Sequence, residues 1–305
     1  MVPALVAAAN GDRSRSGGSG KMRSSGRVFG FPMKRFVCPI CLLLLSAALA
    51  DAADLTLAQL PPAVQQTAKT ELGGATPTEI QKGEENGGID YTITRQTAKG
   101  ERYFVVSESG SLIGTEVGVD EIPPAVQKVI KSQVADGTLD GIEKNLETAE
   151  LTYDVDFTRK DGSERSLSVS AAGRVTSLEL DLPDLPEAVH KTIQTHLKGA
   201  TIEAIYKIFE TNEFYFEVNF RKNGSTRDMV IAQDGKPETL QVLLKDLPEA
   251  VQKTINEKVA GGKIVRIDKS YTPRQGVPPF EVESIKDGKP FNFSVGSKGR
   301  FLGMD

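Results

Sequence analysis

The chain has 305 residues, of which 39% are hydrophobic and 26% are charged. This is the composition of a soluble globular protein with enough apolar material for more than one core, and it excludes a disordered chain, a collagen and a multi-pass membrane protein. Two cysteines, two histidines and no tryptophan leave few side chains for metal-dependent or nucleophilic chemistry.

Charge is divided unevenly along the chain. Residues 1–50 contain seven lysines and arginines against Asp12 alone, whereas the chain from Asp51 onward has 30 basic and 40 acidic residues, a net charge of −10. A chain segment this acidic repels the phosphate backbone of a nucleic acid. We therefore expect no nucleic acid partner, and the charge favours basic proteins or cations instead.

Residues 1–52 are interpreted as an upstream extension followed by a signal peptide, which predicts that the protein is exported. Lys34-Arg35 precedes an apolar run over 36–50 that ends in the small residues Ala48-Leu49-Ala50, the order found in secretory signals. The run is too short to cross a membrane as a helix, so we expect cleavage after Ala50 or Ala52. We therefore expect a periplasmic or extracellular protein that has no membrane contact beyond the signal peptide. The alternative is that the apolar run is not cleaved and anchors the protein in the membrane. Met33 would start a complete signal, which leaves the true start open.

Both cysteines, Cys38 and Cys41, lie inside the apolar run. In a cytosolic enzyme their C-x-x-C spacing would indicate redox or metal chemistry. Here the pair belongs to the segment that is expected to be removed. We therefore expect a mature chain with no disulfide, no metal and no other cofactor.

A five-residue motif recurs four times, with its prolines separated by 62, 63 and 62 residues. An Ile-x-Lys triplet begins sixteen residues after the valine of each copy, and two glycine turns follow. Such self-similarity indicates tandem structural units, which we expect at 57–119, 120–181, 182–244 and 245–305. The four copies are Leu60-Pro-Pro-Ala-Val64, Ile122-Pro-Pro-Ala-Val126, Leu185-Pro-Glu-Ala-Val189 and Leu247-Pro-Glu-Ala-Val251.

Each unit begins with a helical pattern and continues with strands. In the third copy Leu185, Val189, Ile193 and Leu197 have helical spacing, because proline is favoured at the first helical position and apolar residues follow every four. The pattern then alternates with period two over 214–221, and turn signals such as Asn223-Gly224, Asp161-Gly162 and Asp287-Gly288 predict two-residue hairpins. The expected fold class is α+β: four tandem units, each with one helix packed on a four-stranded antiparallel meander sheet. A 62-residue unit is marginal alone, so neighbouring units should pair or extend each other's sheets.

These features resemble the PepSY-like family, also described as beta-lactamase-inhibitor-like domains. The resemblance spans about 57–305 and rests on the Leu-Pro-x-Ala-Val helix, the Ile-x-Lys strand and the two glycine-turn hairpins. It implies exported modules of helix-plus-sheet form, often in tandem, without known catalytic residues. It also implies that the sheet face opposite the helices can bind a hydrolase, since the related inhibitors bind in this way and PepSY modules proper occur in protease propeptides.

Polar residues on the strands of the third unit form our candidate partner-binding surface. The face away from the helix mixes an aromatic ring, both signs of charge and an amide, and exposed tyrosine and arginine are enriched at binding hot spots. The first unit contributes an aromatic residue to the same face. The candidates are Tyr215, Glu217, Asn219, Arg221, Asp228 and Tyr103.

Three other sets of residues have simpler interpretations. Asp154 and Asp156 share one strand face at a spacing that approaches that of inverting glycosidases, but we expect a solvated surface with ordinary pKa values. The lysines of the Ile-x-Lys triplets should lay their stems along the helix side of the sheet. His190 and His196 lie six residues apart on a helix, so they cannot share a metal ligand site.

The sequence therefore predicts a secreted non-enzymatic binding protein that presents a polar sheet face to a protein partner, for which a peptidase or another envelope hydrolase is one candidate class. A structural envelope component without a dedicated target is an alternative. A carboxylate-dependent hydrolase that uses Asp154 and Asp156 is a third hypothesis. The identity of the partner and the oligomeric state are left open.

Overall fold

The structure is a computed structural model that describes residues 55–85, 88–147, 150–271 and 280–304. The predicted signal peptide and its expected cleavage site lie outside these ranges. The described residues belong to one compact unit. Among the described residues, no helix is both long and apolar enough to cross a membrane.

The described chain alternates one α-helix with a group of β-strands, four times over. A single 3₁₀ turn precedes each helix, at Leu57–Gln59, Val119–Glu121, Leu182–Asp184 and Leu244–Asp246. The helices are α1 (Pro62–Leu72), α2 (Pro124–Val134), α3 (Glu187–His196) and α4 (Glu249–Val259). The strands are β1 (Pro77–Glu85), β2 (Gly88–Thr97), β3 (Gly100–Ser107), β4 (Leu112–Glu116), β5 (Thr138–Asn145), β6 (Thr152–Thr158), β7 (Glu164–Ser170), β8 (Val175–Glu179), β9 (Thr201–Phe209), β10 (Phe214–Lys222), β11 (Ser225–Ala232), β12 (Pro237–Gln241), β13 (Lys263–Ser270), β14 (Phe280–Lys286), β15 (Lys289–Pro290), β16 (Phe293–Val295) and β17 (Phe301–Met304).

All described strands belong to one antiparallel sheet in which neighbours along the chain pair with each other. The sheet continues past each helix, because β4 pairs with β5, β8 with β9, and β12 with β13. After α4 there are five strands instead of the expected four. The reason is that β15 and β16 both pair with β14, so one strand position is interrupted near Phe291, whose N–H donates to the Ser284 carbonyl at 2.7 Å.

Four apolar clusters fill the space between the helices and the sheet, one beneath each helix. Under α3 the predicted residues Leu185, Val189, Ile193 and Leu197 are all buried, together with the inward phenylalanines of β10. Paired residues of neighbouring strands share a face, and buried positions pair with one another from strand to strand. The four helices therefore lie on one face of the sheet, which makes the fold α+β as predicted.

The second glycine turn of each repeat packs directly against its helix. Gly235 has a φ of +83°, and a Cβ placed on it would lie 2.5 Å from the Ala188 Cβ. Thr192 Oγ1 also donates to the Gly235 carbonyl at 2.6 Å. The alanine of the motif and this glycine are thus two sides of one close contact, which recurs between Gly110 and Ala63, Gly173 and Ala125, and Gly299 and Ala250.

The start of each helix is fixed by the rest of the motif. The repeated proline is the N-cap residue, one position earlier than the first helical position that we expected. In three copies a glutamine side chain donates back to the carbonyl of the motif's first residue, as Gln65 does to Leu60 at 2.9 Å. His190 occupies the equivalent position in the third copy.

Two of the three predicted hairpins have the expected turn. Asn223 and Gly224 have φ values of 53° and 77°, and Asp287 and Gly288 have 52° and 72°, the left-handed pair of a type I′ turn. The prediction is wrong for Asp161-Gly162, where only the glycine has a positive φ. There Thr158 pairs with Glu164, so the loop is longer and the Asp161 carboxylate accepts from the Ser163 N–H at 2.9 Å instead.

Candidate functional site

The predicted binding residues lie on the sheet face that carries no helix. Tyr215, Glu217, Asn219 and Arg221 alternate along β10 with the buried Phe216, Val218 and Phe220. Asp228 of β11 pairs with Asn219 and so shares its face. Tyr103 lies on β3, seven strands away, and the structure does not bring it to the other five.

The helix-free face carries a charged cluster at the junction between the third and fourth repeats. Arg266 of β13 donates to both Asp228 carboxylate oxygens at 2.7 Å. It also donates to both oxygens of Asp268, at 2.6 and 2.8 Å. This double bidentate arrangement clamps β11 to β13 across β12, and bidentate arginine–carboxylate pairs are among the stronger polar contacts in proteins.

Glu217 is the carboxylate of this cluster that lacks a bidentate partner. Glu217 is only 9% exposed to solvent. Burial and, to a smaller extent, the negative charge of Asp228 raise the pKa of Glu217 to about 7, although the positive charge of Arg266 opposes this rise. Glu217 is therefore near half-protonation at neutral pH. Glu217 and Asp228 lie on the predicted face, but as buried members of a cluster they do not offer free side chains to a partner.

A second polar cluster surrounds Tyr103 between the first and second repeats. The Tyr103 hydroxyl is hydrogen-bonded to Glu143 of β5, and burial followed by the charge of Glu143 raises the pKa of Tyr103. The contact between Tyr103 and Glu143 crosses β4, where Gly114 has no side chain that would block it. A Cβ on Gly114 would lie 2.6 Å from Glu143 Oε1, so a larger residue there would displace the carboxylate.

Asp154 does not lie on a solvated surface with an ordinary pKa, which corrects our expectation. Its two carboxylate oxygens accept hydrogen bonds from Asn145 Nδ2 at 2.9 Å and from Ser168 Oγ at 2.5 Å. Burial raises the pKa of Asp154, and the two hydrogen bonds oppose that rise. Because side chains from neighbouring strands cover this face, period-two alternation identifies its residues but does not predict their solvation.

The same pair of positions bridges each of the three junctions. One residue comes from the third strand after a helix and the other from the first strand after the next helix. The pairs are Tyr103 with Glu143, Ser166 with Tyr206, and Asp228 with Asp268 through Arg266. Sequence reasoning missed Glu143, Tyr206, Arg266 and Asp268 because the chemistry differs at every junction. The available signal was the alternation of Arg266 and Asp268 around Ile267, which places both on the helix-free face.

The remaining candidates occupy structural positions or the margin of the face. Lys207 Nζ lies 3.8 Å from the ring centroid of Phe214 on the helix side, which agrees with the expected packing of the repeated lysines. Arg221 is exposed and its Nε donates to Glu203 Oε1 at 2.7 Å. No group of three or more described histidine, cysteine or acidic residues is arranged to hold a metal ion.

The geometry defines an α+β protein whose helices cover one face of an antiparallel meander and leave a polar face on the other. Residues 111–177, about a fifth of the chain, match the family model described as "Putative beta-lactamase-inhibitor-like, PepSY-like". The match begins just before β4 and ends within β8, so it includes α2 and the sheet around it. No curated protein matches the chain.

Solved structures that resemble parts of the chain come from Bacteroides species. A DUF2874 family protein from Bacteroides ovatus is 15% identical, with a TM-score of 0.32, over 43% of this chain and 93% of its own. A "putative calcium-regulated periplasmic protein" from Bacteroides thetaiotaomicron is 14% identical, with a TM-score of 0.27, over 41% and 93%. A "putative periplasmic protein of unknown function" from Bacteroides vulgatus is 14% identical, with a TM-score of 0.28, over 42% and 98%.

Proposed function

We propose that this chain is an exported, non-enzymatic binding protein built from four PepSY-like units, which presents its helix-free sheet face to a protein partner. The fourfold motif, with the same Gly–Ala contact in each copy, supports the four units. The signal-like segment before Asp51 supports export to the periplasm or beyond. The family match at 111–177 supports the choice of family for the second unit.

The observation that carries the binding proposal is the polar face itself. Buried charges on this face pair with one another within the sheet, as in the clamp formed by Arg266, and are not gathered around an open reactive centre. Rigid strands with satisfied side chains are a suitable support for recognition residues. At the margin of this face Arg221 is exposed and Tyr215 is partly exposed, and these two residue types dominate binding hot spots.

The partner class follows from charge and from the family resemblance. The face has more carboxylates than cations, and the mature chain has a net charge of −10, so a basic surface on the partner gives electrostatic complementarity. The resemblance to inhibitor-like domains makes a peptidase or another envelope hydrolase the first class to examine. A structural envelope component without a target remains the alternative function.

Affinity capture from an envelope extract, with matched variants, tests this proposal. The wild-type protein should retain a specific protein, and Tyr215→Ala and Arg221→Ala should each weaken its binding by roughly 1–3 kcal/mol. Lys191→Ala on the exposed side of α3 is the control and should bind like the wild type. No retained protein would favour the structural alternative, and equal loss in the control would place the contact elsewhere.

The hydrolase hypothesis receives a separate test. Asp154 has both carboxylate oxygens engaged by Asn145 and Ser168, which indicates a structural acceptor. Purified protein should therefore show no hydrolase activity that depends on Asp154. An activity that Asp154→Asn removes, while the thermal midpoint stays within a few degrees, would contradict the non-enzymatic proposal.

A further inference from the structure

A separate cavity lies on the helix side of the sheet, at the end of α3. Its volume is about 270 Å³. Its polar lining comes from Lys222, Arg227, His196, Asn223 and Asp246. Leu197, Phe220 and Leu240 supply the apolar part of the lining.

The cations of this cavity are held in place by other contacts. The Arg227 side chain is 8% exposed, and its guanidinium lies 5.3 Å from the Phe220 ring centroid. Lys222 Nζ donates to the Lys198 carbonyl at 2.9 Å. The single lining carboxylate, Asp246, forms an ion pair with Arg227, whose Nη1 donates to Asp246 Oδ2 at 3.5 Å. The cavity thus has two fixed cations and one lining carboxylate, which pairs with Arg227.

His196 is a further basic group of the lining. Its ring packs edge-on against Tyr271 with the ring centroids 4.9 Å apart. Burial, and then the positive charge of Lys269, lowers the pKa of His196.

In the preceding repeat a single carboxylate pairs with both of the equivalent cations. Arg165 pairs with Phe157 in the same way that Arg227 pairs with Phe220, and Arg159 follows Phe157 by two residues as Lys222 follows Phe220. In that repeat Asp181 forms ion pairs with both arginines, at 3.2 Å to Arg159 and in closer contact with Arg165.

The third repeat lacks this carboxylate. Asp181 stands five residues before Pro186, and the residue five before Pro248 is Leu243. We propose that the cavity between Lys222 and Arg227 is a binding site for a carboxylate ligand, which takes the place that Asp181 fills in the preceding repeat. This site is independent of the binding face described above, because it lies on the opposite side of the sheet.

The ligand chemistry follows from the lining. A carboxylate accepts hydrogen bonds from the lysine and arginine side chains, and the Asn223 amide can donate as well. The leucines and Phe220 favour a short apolar body next to the acid group. A free short-chain monocarboxylate and the C-terminal carboxylate of a polypeptide share this chemistry.

Histidine NMR provides a direct readout, because the chain contains only two histidines. Sodium propionate is added to the mature protein at constant ionic strength, with sodium chloride as the reference salt, and the imidazole resonances are followed. His196 should shift in a saturable manner while His190, which does not line the cavity, stays unchanged. A parallel titration with N-acetyl-alanyl-alanine and with its C-terminal amide distinguishes the two sources. Tighter binding of the free peptide assigns a polypeptide terminus, and equal binding of peptide and propionate assigns a free acid.

Variants make the assignment specific. Lys222→Gln should weaken propionate binding about tenfold, as expected for loss of a charge-assisted contact, whereas the exposed Lys236→Gln should not. Leu243→Asp should abolish the His196 shift, because it supplies the internal carboxylate of the preceding repeat at high effective concentration. Leu243→Asn, of the same shape but uncharged, should retain it. The proposal is overturned if His196 does not shift saturably, if His190 shifts equally, or if Leu243→Asp binds propionate like the wild type in a folded protein.

Discussion

Gly235 lies in the turn between β11 and β12, where its Cα approaches the first turn of α3. The substitution Gly235→Ala places a Cβ 2.5 Å from the Ala188 Cβ and 2.7 Å from the Ala188 carbonyl carbon. The residue also has a φ of +83°, where a side chain is strained. Both effects should destabilise the packing of α3 on the sheet.

The chain contains a control that separates the two effects. Gly224, in the hairpin between β10 and β11, has a φ of +77°, but no atom lies within 4 Å of the position that a Cβ would take there. The backbone strain costs roughly 1–2 kcal/mol at either glycine. Forcing an atom into a packed contact adds typically about 1–3 kcal/mol. We therefore expect Gly235→Ala to cost about 2–5 kcal/mol and Gly224→Ala about 1–2 kcal/mol.

Chemical denaturation of the purified mature protein measures the difference, and hydrogen exchange of the α3 amides shows where it acts. Exchange should accelerate in α3 for Gly235→Ala and stay close to wild type for Gly224→Ala. Equal destabilisation by the two variants would refute the reasoning, because it would show that the Gly–Ala contact contributes nothing beyond backbone strain.

Three further predictions concern the core and the buried charges. Val189→Asp places an unpaired charge beneath α3 and should unfold that part of the chain. Lys207→Ala should lower the unfolding free energy by under about 1 kcal/mol in thermal denaturation. If Lys207→Ala abolished partner binding without a change in stability, the structural role of Lys207 would be contradicted. Arg266→Gln leaves the carboxylates of Asp228 and Asp268 without their arginine partner and should lower the unfolding free energy by about 3–5 kcal/mol. A change below about 1 kcal/mol would mean that this clamp is not formed in solution. Burial raises the pKa of Glu217 from 4.5 to about 7, so the folded state binds this proton more tightly and stability should fall as the pH rises through that interval. Glu217→Gln should remove this slope and stabilise the protein by roughly 1–3 kcal/mol at about pH 8, and an unchanged slope in the unfolding free energy would contradict the assignment.

The candidate site was only partly predictable. Alternation along β10 was enough to place Tyr215 and Arg221 on the helix-free face, because successive strand residues point to opposite sides. It was not enough to show that Glu217 is buried, or that Arg266, which follows 49 positions later, reaches Asp228 across an intervening strand. Contacts between strands that are distant in sequence leave no local pattern, and each junction uses different side chains.

The amino-acid sequence was enough to predict the α+β class, the four helices and the face that each strand turns towards them. These properties follow from local rules: a proline at the helix start, apolar residues with helical spacing, and alternation with glycine turns. The tertiary structure was needed to choose between units that pair and units that extend each other's sheets, and it shows that β4, β8 and β12 connect one repeat to the next in a continuous sheet. It also decided the charge states on the helix-free face and the cavity beside Arg227, because desolvation and ion pairing depend on which side chains meet across strands and not on their order in the chain.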